Sequence, residues 1–514
     1  MRTAPVEPSV DQGSNAATRR RVAGAAAVIG LGNILSRGLG LVRDVVIAST
    51  FGATGGTDAY VFARTIPTIL YDLLVGTVST AAFVPVFVQH ARDERQLWRL
   101  VGAVFSLAGL AFVALAVVLA LAAEPIVAVV GNFSSPEKAS LATNLMRIAL
   151  LSVIFQGLAG VLTSALYAQN RFSLPAFASA IYNVGIIVGV VLLARPLGET
   201  ALGVGLVLGA LAQFLLQASG LGPFWRAYRP RIDLRDAGVR RILALGGTVA
   251  AGLVVTAAGQ LIDRNLALRL PEGNLSSMEY ATRVIQFPLG IVGLAVSFAI
   301  LPTLSAFKEP TAEHRSGYRE ALLFGLKLVL LLMLPIMVGV IALGQPLIAL
   351  IYERNAFSAE ATSRTAAIFM AYAPMLPLTA VDYLLINAFY ARQNARTPVV
   401  VGVVCVLIYL AVALSLIGPM GAVGLALANA IQNSSHAVIL LVLLQRAMPG
   451  LRLGGALWPF LARVVPAALV VGAVLLAAWP TLSLAGGLLG LAAAAALGSL
   501  LYVGLLLLLG VSEV

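Results

Sequence analysis

Charge is what this sequence has least of. Of 514 residues, 11% are Asp, Glu, Lys or Arg and 60% are hydrophobic, whereas a soluble globular protein carries about 25% charge. That balance excludes a soluble enzyme and implies a polytopic membrane protein. Lysine is nearly absent: Lys138, Lys308 and Lys327 are the three, so arginine carries almost all of the net charge of +12. Cys405 is the single cysteine, which excludes an intramolecular disulfide. His90, His314 and His436 are too scattered for a metal site or a catalytic cluster. No nucleotide-binding loop, zincin helix or Ser/His/Asp arrangement is present, and no signal peptide with a clean cleavage site. The basic residues follow membrane topology rather than a nucleic-acid surface. A non-enzyme without resident cofactor, metal or nucleic-acid partner is therefore expected.

What is present is a succession of apolar runs about 20 residues long or more. They predict an all-α polytopic membrane protein with 14 transmembrane helices. The first six fall near 23–49, 60–88, 100–122, 141–168, 175–194 and 201–224. Six more fall near 239–268, 277–305, 320–351, 363–390, 398–416 and 420–445, and a final pair near 457–479 and 484–510. Residues 1–22 read as a disordered cytoplasmic tail. Arg19–Arg21, Arg92, Arg95, Arg99, Arg171 and the arginines between 226 and 241 gather on one side of these spans. The positive-inside rule places that side, and both termini, in the cytoplasm.

The chain repeats itself. Ala165-Leu-Tyr167-Ala168, six residues, then Pro175 recurs 223 positions later as Ala388-Phe-Tyr390-Ala391, six residues, then Pro398. Gly205-Leu-Val-Leu with Gln213 parallels Gly424-Leu-Ala-Leu with Gln432. Two six-helix lobes related by internal pseudo-symmetry follow: an N-lobe over 23–225, a cytoplasmic linker at 226–238 and a C-lobe over 239–446. The two C-terminal helices of 447–514 have no counterpart. Such repeats are a common transporter plan.

Corresponding helices of the two halves carry charges inside apolar segments, where each costs at least about 2.5–3.5 kcal/mol unless it is used or paired. Ser36-Arg37-Gly-Leu-Gly-Leu-Val-Arg43-Asp44 is one such segment, and Tyr280-Ala-Thr-Arg283 is another. Guanidinium groups suit bidentate capture of phosphate oxygens, so Arg37, Arg43 and Arg283 are candidates for holding an anionic ligand such as a diphosphate. The competing reading is local neutralisation, Arg43 with Asp44 or Asp58 and Arg264 with Asp263. Asp58, Arg64 and Tyr71 are supporting or gating candidates. Asp263, Asp382 and Asn387 offer oxygens from different helices for ion coupling, either binding Na⁺ or relaying a proton; the membrane potential is the other available drive.

Together these motifs resemble the MurJ (MviN) family of lipid II flippases, within the multidrug/oligosaccharidyl-lipid/polysaccharide exporter superfamily. The resemblance covers roughly residues 25–510. It rests on Ser36-Arg37-x5-Arg43-Asp44, Phe51-Gly52-Ala with Thr57-Asp58-Ala59, Ala82-Phe83-Val84-Pro85 and Arg283-x3-Phe287-Pro288-x-Gly290. Leu301-Pro302-x-Leu304-Ser305, Asn355-Ala356-Phe357 and Phe389-Tyr390-Ala391-Arg392-Gln393 add to it. The resemblance implies alternating access and transfer of the lipid-linked peptidoglycan precursor from the inner to the outer leaflet of the bacterial cytoplasmic (inner) membrane. It implies a monomer whose partners are lipid II and membrane lipids, with Arg37, Arg43 and Arg283 on the diphosphate. The chain departs from the family pattern at Tyr71, where the family has an arginine, and at Gly76-Thr77, where it has an acidic-Gly pair. The departure at Tyr71 leaves open an exporter of another polyprenyl-diphosphate-linked oligosaccharide.

Overall fold

The structure, a computed structural model, describes residues 12–72, 78–306, 312–448, 451, 453–511 and 513. Gly76-Thr77 and Lys308 lie outside the described residues. Helix α1 (Gln12–Phe51) begins within the stretch expected as a tail, and α2 (Gly55–Tyr71) follows after a tight turn. Beyond a π-helical turn at Ser79–Phe83 come α3 (Val84–His90), α4 (Glu94–Leu121), α5 (Ala123–Val130) and α6 (Pro136–Ala168). The chain continues through α7 (Ser173–Leu197), α8 (Thr200–Ser219), α9 (Gly222–Ala227), α10 (Ala237–Leu268) and α11 (Asn274–Pro288). A second π turn at Leu289–Gly293 leads to α12 (Leu294–Ala306), α13 (Ala312–Tyr352), α14 (Ala359–Tyr372) and α15 (Met375–Ala391). Last are α16 (Arg396–Ala447), α17 (Gly454–Leu482) and α18 (Gly487–Leu508).

The protein is all-α and polytopic, as expected. By length and composition, nine helices among the described residues can cross a membrane, or ten if α14 and α15, bent by 47°, form one span. Fourteen were expected, and part of the difference has a visible cause. Two expected spans, 398–416 and 420–445, run together as the 52-residue α16, although Gly421 breaks it with φ 56° and ψ −132°. Only glycine enters that region without steric cost.

The chain divides into two compact units. One comprises residues 1–43, 66–123 and 144–253. Its core gathers Phe83, Phe87, Trp98, Phe105, Leu162 and Phe224. Here α7 and α8 lie backbone to backbone. A Cβ on Gly185 would stand 2.6 Å from the Gly209 Cα, and one on Gly189 2.7 Å from the Gly205 Cα. Each helix thus presents a Gly-xxx-Gly face, the pattern by which apolar helices pack closely where no hydrophobic effect drives them together.

The other unit comprises 44–65, 124–143 and 254–514, so two stretches of the first half of the sequence belong with the second. Within it, α17 packs on α13: a Cβ on Gly472 would overlap the Val338 side chain. The Tyr502 hydroxyl of α18 donates to the Leu331 carbonyl at 2.9 Å. On α18, a Cβ on Gly490 would stand 2.6 Å from the Leu482 carbonyl oxygen and one on Gly498 3.3 Å from Leu475. Leu500, Leu507 and Leu508 face outward as a lipid-facing span requires.

Candidate functional site: arginines held on a buried carboxylate

In the unit containing residues 254–514, three guanidinium groups converge on Glu279 of α11. Arg64 of α2 and Arg283 of α11 donate to Oε1, the latter at 2.9 Å, and Arg264 near the end of α10 donates to Oε2 at 2.8 Å. Arg283 Nε also faces Asp44 Oδ2 at 3.5 Å. The Tyr60 ring stacks under the Arg64 guanidinium, 5.4 Å from its centroid. The Glu279 side chain is 9% exposed, and Arg283, at 34%, is the most accessible member. Three arginines against Glu279 and Asp44 leave one net positive charge in apolar surroundings. Such a cluster persists only because each charge is paired, since an uncompensated buried charge costs several kcal/mol.

The local-neutralisation reading is corrected for Arg264. Arg264 pairs with Glu279 and not with its neighbour Asp263; α-helical geometry turns adjacent side chains about 100° apart. Arg64, expected only as support, belongs to the cluster itself. Glu279 was missed. Its signal was present in two forms: it stands four residues before Arg283, and the Asp44-to-Arg64 spacing of twenty residues recurs as Asp263-to-Arg283.

Asp58 does not meet an arginine in a primary contact. It stands in the first turn of α2, ahead of the apolar run that starts at Tyr60. Its Oδ2 accepts from the Gly273 N–H at 2.6 Å and its Oδ1 from the Ser276 N–H at 2.7 Å. It therefore caps α11 from another helix, where Gly273 at φ 84° has no side chain to do so. Burial pushes the Asp58 carboxyl up to about 6, against the lowering pull of the Ser276 and Gly273 groups and of Arg364. Arg364 ties the same turn, donating to Ser277 Oγ at 3.1 Å and the Ala53 carbonyl at 3.0 Å. The Asn355-Ala356-Phe357 motif completes it: Ala356 N donates to Ser49 O at 3.1 Å, and the Ala356 carbonyl leaves no room for a Cβ at Gly52. The Phe51-Gly52-Ala motif is thus a docked turn whose far end fixes α11, and with it Glu279 and Arg283.

Arg37, Arg43 and Tyr71 belong to the other unit. The buried Arg43 donates through NH1 to Asn183 Oδ1 of α7 at 2.9 Å. The Asn183 amide donates in turn to the Ser36 and Ser179 carbonyls, at 3.2 and 3.0 Å. Arg43 is therefore oriented by an amide that sequence reasoning did not single out. Arg37, also on α1, is half-buried. Tyr71 lies beside Gln213, one of the glutamines that mark the repeat.

The three ion-coupling candidates do not form one group. Asp263 Oδ1 accepts from the Tyr409 hydroxyl at 2.5 Å and from Asn429 Nδ2 at 3.3 Å. Asp382 meets His436 at 2.6 Å, and Asn387 lies half-buried further along α15. Among the described residues no three His, Cys, Asp or Glu side chains come together as a metal site.

The fold is that of the MOP-superfamily transporters. A solved inward-facing multidrug resistance MATE family transporter superposes with a TM-score of 0.68 at 12% identity, covering 80% of this chain and 94% of that one. The chain belongs to the lipid II flippase MurJ family, whose family model matches residues 47–485. It is 30% identical to the probable lipid II flippase MurJ of Haemophilus influenzae over 79% of this chain and 83% of that protein. The Vibrio cholerae relative of the same description is 29% identical over 93% and 94%. A solved structure titled lipid II flippase MurJ, inward closed conformation, matches with a TM-score of 0.78 at 24% identity, covering 93% and 98%.

Proposed function

We propose that this protein flips lipid II from the inner to the outer leaflet of the bacterial cytoplasmic membrane, as a monomer working by alternating access with both termini in the cytoplasm. The observation that carries the reading is the Glu279 cluster. Its carboxylate keeps three guanidinium groups ordered inside an apolar unit, and Arg283 offers the most accessible fork. The cluster carries one net positive charge and Arg283 is its most accessible fork, so a diphosphate can add its oxygens at Arg283 while Glu279 stays paired with Arg64 and Arg264. Arg37 and the Asn183-held Arg43 are proposed as further diphosphate ligands on the same chemical ground. Asp58 acts by holding α11 in place and does not touch the substrate.

The test is complementation of a bacterium depleted of its own lipid II flippase, with outer-leaflet lipid II quantified at matched expression. Wild type rescues, and Arg37→Ala, Arg43→Ala and Arg283→Ala do not. Rescue by all three variants would overturn the arginine site while leaving transport standing. A well-inserted wild type that fails would shift the assignment to another polyprenyl-diphosphate glycan. Tyr71, which lies beside Gln213 where the family has arginine, supports that second reading; Tyr71→Arg should then gain lipid II activity.

A further inference from the structure

His436 has an acceptor at each ring nitrogen. Its Nδ1 lies 2.6 Å from Asp382 Oδ1 and its Nε2 lies 3.1 Å from the Pro398 carbonyl oxygen. A neutral imidazole carries one N–H and can satisfy one of the two; its other lone pair then faces an oxygen lone pair. Both contacts are hydrogen bonds only when the pair holds one additional proton, on the imidazole or on the Asp382 carboxyl. These two placements are one protonation state of a coupled pair. The proton has a structural consequence, because the three groups come from different segments. Asp382 is on α15, Pro398 is in the first turn of α16, and His436 follows the break at Gly421.

The pair is enclosed, its side chains 12% and 14% exposed. Cys405, buried on α16, is the further titratable group that senses Asp382. On α13, the Tyr318 hydroxyl donates to the Ala388 carbonyl and Lys327 pairs with Glu513; Arg319 and Glu320 lie nearer the start of that helix. On α11, Glu279 and Arg283 belong to the arginine cluster, and on α14 Arg364 holds Ser277, with Glu360 in the first turn.

We propose that Asp382 and His436 form a proton-binding site whose single proton closes α15 and both segments of α16 around one imidazole, and that exchange of this proton is a coupling step of transport. The site takes one proton from water and returns one to water. When it leaves, a lone pair faces either Pro398 O or the carboxylate, and that contact opens. The coupling rests on the transport reading above; the proton site does not.

The proton is read directly in full-length protein in lipid bilayers, with ¹⁵N-histidine and solid-state NMR, in a His90→Gln/His314→Gln background that leaves His436 as the one histidine. Below a single titration step lying between about pH 5 and pH 9, the additional proton should appear on the second ring nitrogen or, followed by ¹³C-aspartate, on the Asp382 carboxyl. Asp382→Asn should move that step by about one pH unit or more. A pair that shows the additional proton on neither group at any pH, a pair that keeps it at every pH, or a step indifferent to Asp382→Asn would each overturn the site. Coupling is read in proteoliposomes as lipid II flipping with and without an imposed pH gradient. The gradient should change the wild-type rate about tenfold and the His436→Gln and Asp382→Asn rates less than about twofold. Equal gradient responses in wild type and variants would overturn coupling. A titrating site in protein that flips no lipid II would refute the transport reading alone.

Discussion

Arg264 reaches past the adjacent Asp263 to ion-pair with Glu279 at 2.8 Å, while Asp263 takes the Tyr409 hydroxyl. Two oppositely charged neighbours in sequence thus serve different networks. One network organises arginines for an anion; the other ties α10 to α16.

Glu279 should therefore be the residue whose loss is felt most in folding. Glu279→Gln removes the buried carboxylate from the half-buried Arg64 and Arg264 and should cost about 3 kcal/mol. Thermal unfolding in lipid nanodiscs reads this. Arg283→Ala, at a more exposed position, should cost clearly less. An Arg64→Met/Glu279→Gln double variant should recover part of the loss, giving a coupling energy above about 1 kcal/mol.

Asn183 should matter to transport through Arg43. Asn183→Leu removes the acceptor that fixes the guanidinium, a hydrogen bond to a charged group worth about 1.5–3 kcal/mol. A loss of about tenfold or more in flipping rate is expected at near-normal folded yield. Arg43→Lys should not substitute, because an ammonium lacks the planar fork.

Asp58 predicts a pH dependence of stability. Its carboxyl is raised from 3.8 to about 6 in the folded protein, so between those values the fold holds a proton that the unfolded chain releases. Stability is fullest in acid and declines as pH rises through about 6, by an amount on the order of 3 kcal/mol. Asp58→Asn should flatten that slope, and Asp58→Ala should lose about 1 kcal/mol of capping as well. Unfolding midpoints between pH 4 and pH 7, compared across the three proteins, read both effects.

The α7–α8 contact is the steric prediction. Gly189→Val and Gly209→Val each drive a side chain into backbone and should sharply lower folded yield on size exclusion. Gly339→Ala, with nothing within 4 Å of the new Cβ, should be neutral or stabilising by up to about 1 kcal/mol.

The helical membrane class was legible because apolar runs of this length admit no other backbone solution in lipid. Arg283 was legible as an interrupting charge, and Glu279 was within reach through its four-residue spacing. The triple convergence was not, since Arg64 and Glu279 are 215 residues apart and only tertiary structure joins them. Asp58 was read as a supporting or gating residue or a partner of Arg43; its capping of α11 depends on two backbone N–H groups that no side-chain pattern announces. His436 was set aside as isolated because its partners, Asp382 and the Pro398 carbonyl, lie 54 and 38 residues away. The division of 398–416 from 420–445 was legible too, and the helix continues through both with its break at Gly421.

That separation between Arg64 and Glu279 also sets a clock during synthesis. At about 5–20 residues per second, the chain takes roughly 10–40 s to advance the 215 positions from Arg64 to Glu279. For that interval α2 sits in or near the bilayer with its buried arginine lacking the carboxylate that later holds it, at about 2.5–3.5 kcal/mol. The nascent first half must wait in a provisional position, Arg64 reaching toward the headgroups, until α11 arrives. Final seating of α2 is then a late event in biogenesis, and a chain truncated before Glu279 should leave α2 unsettled however well the helices around it have packed.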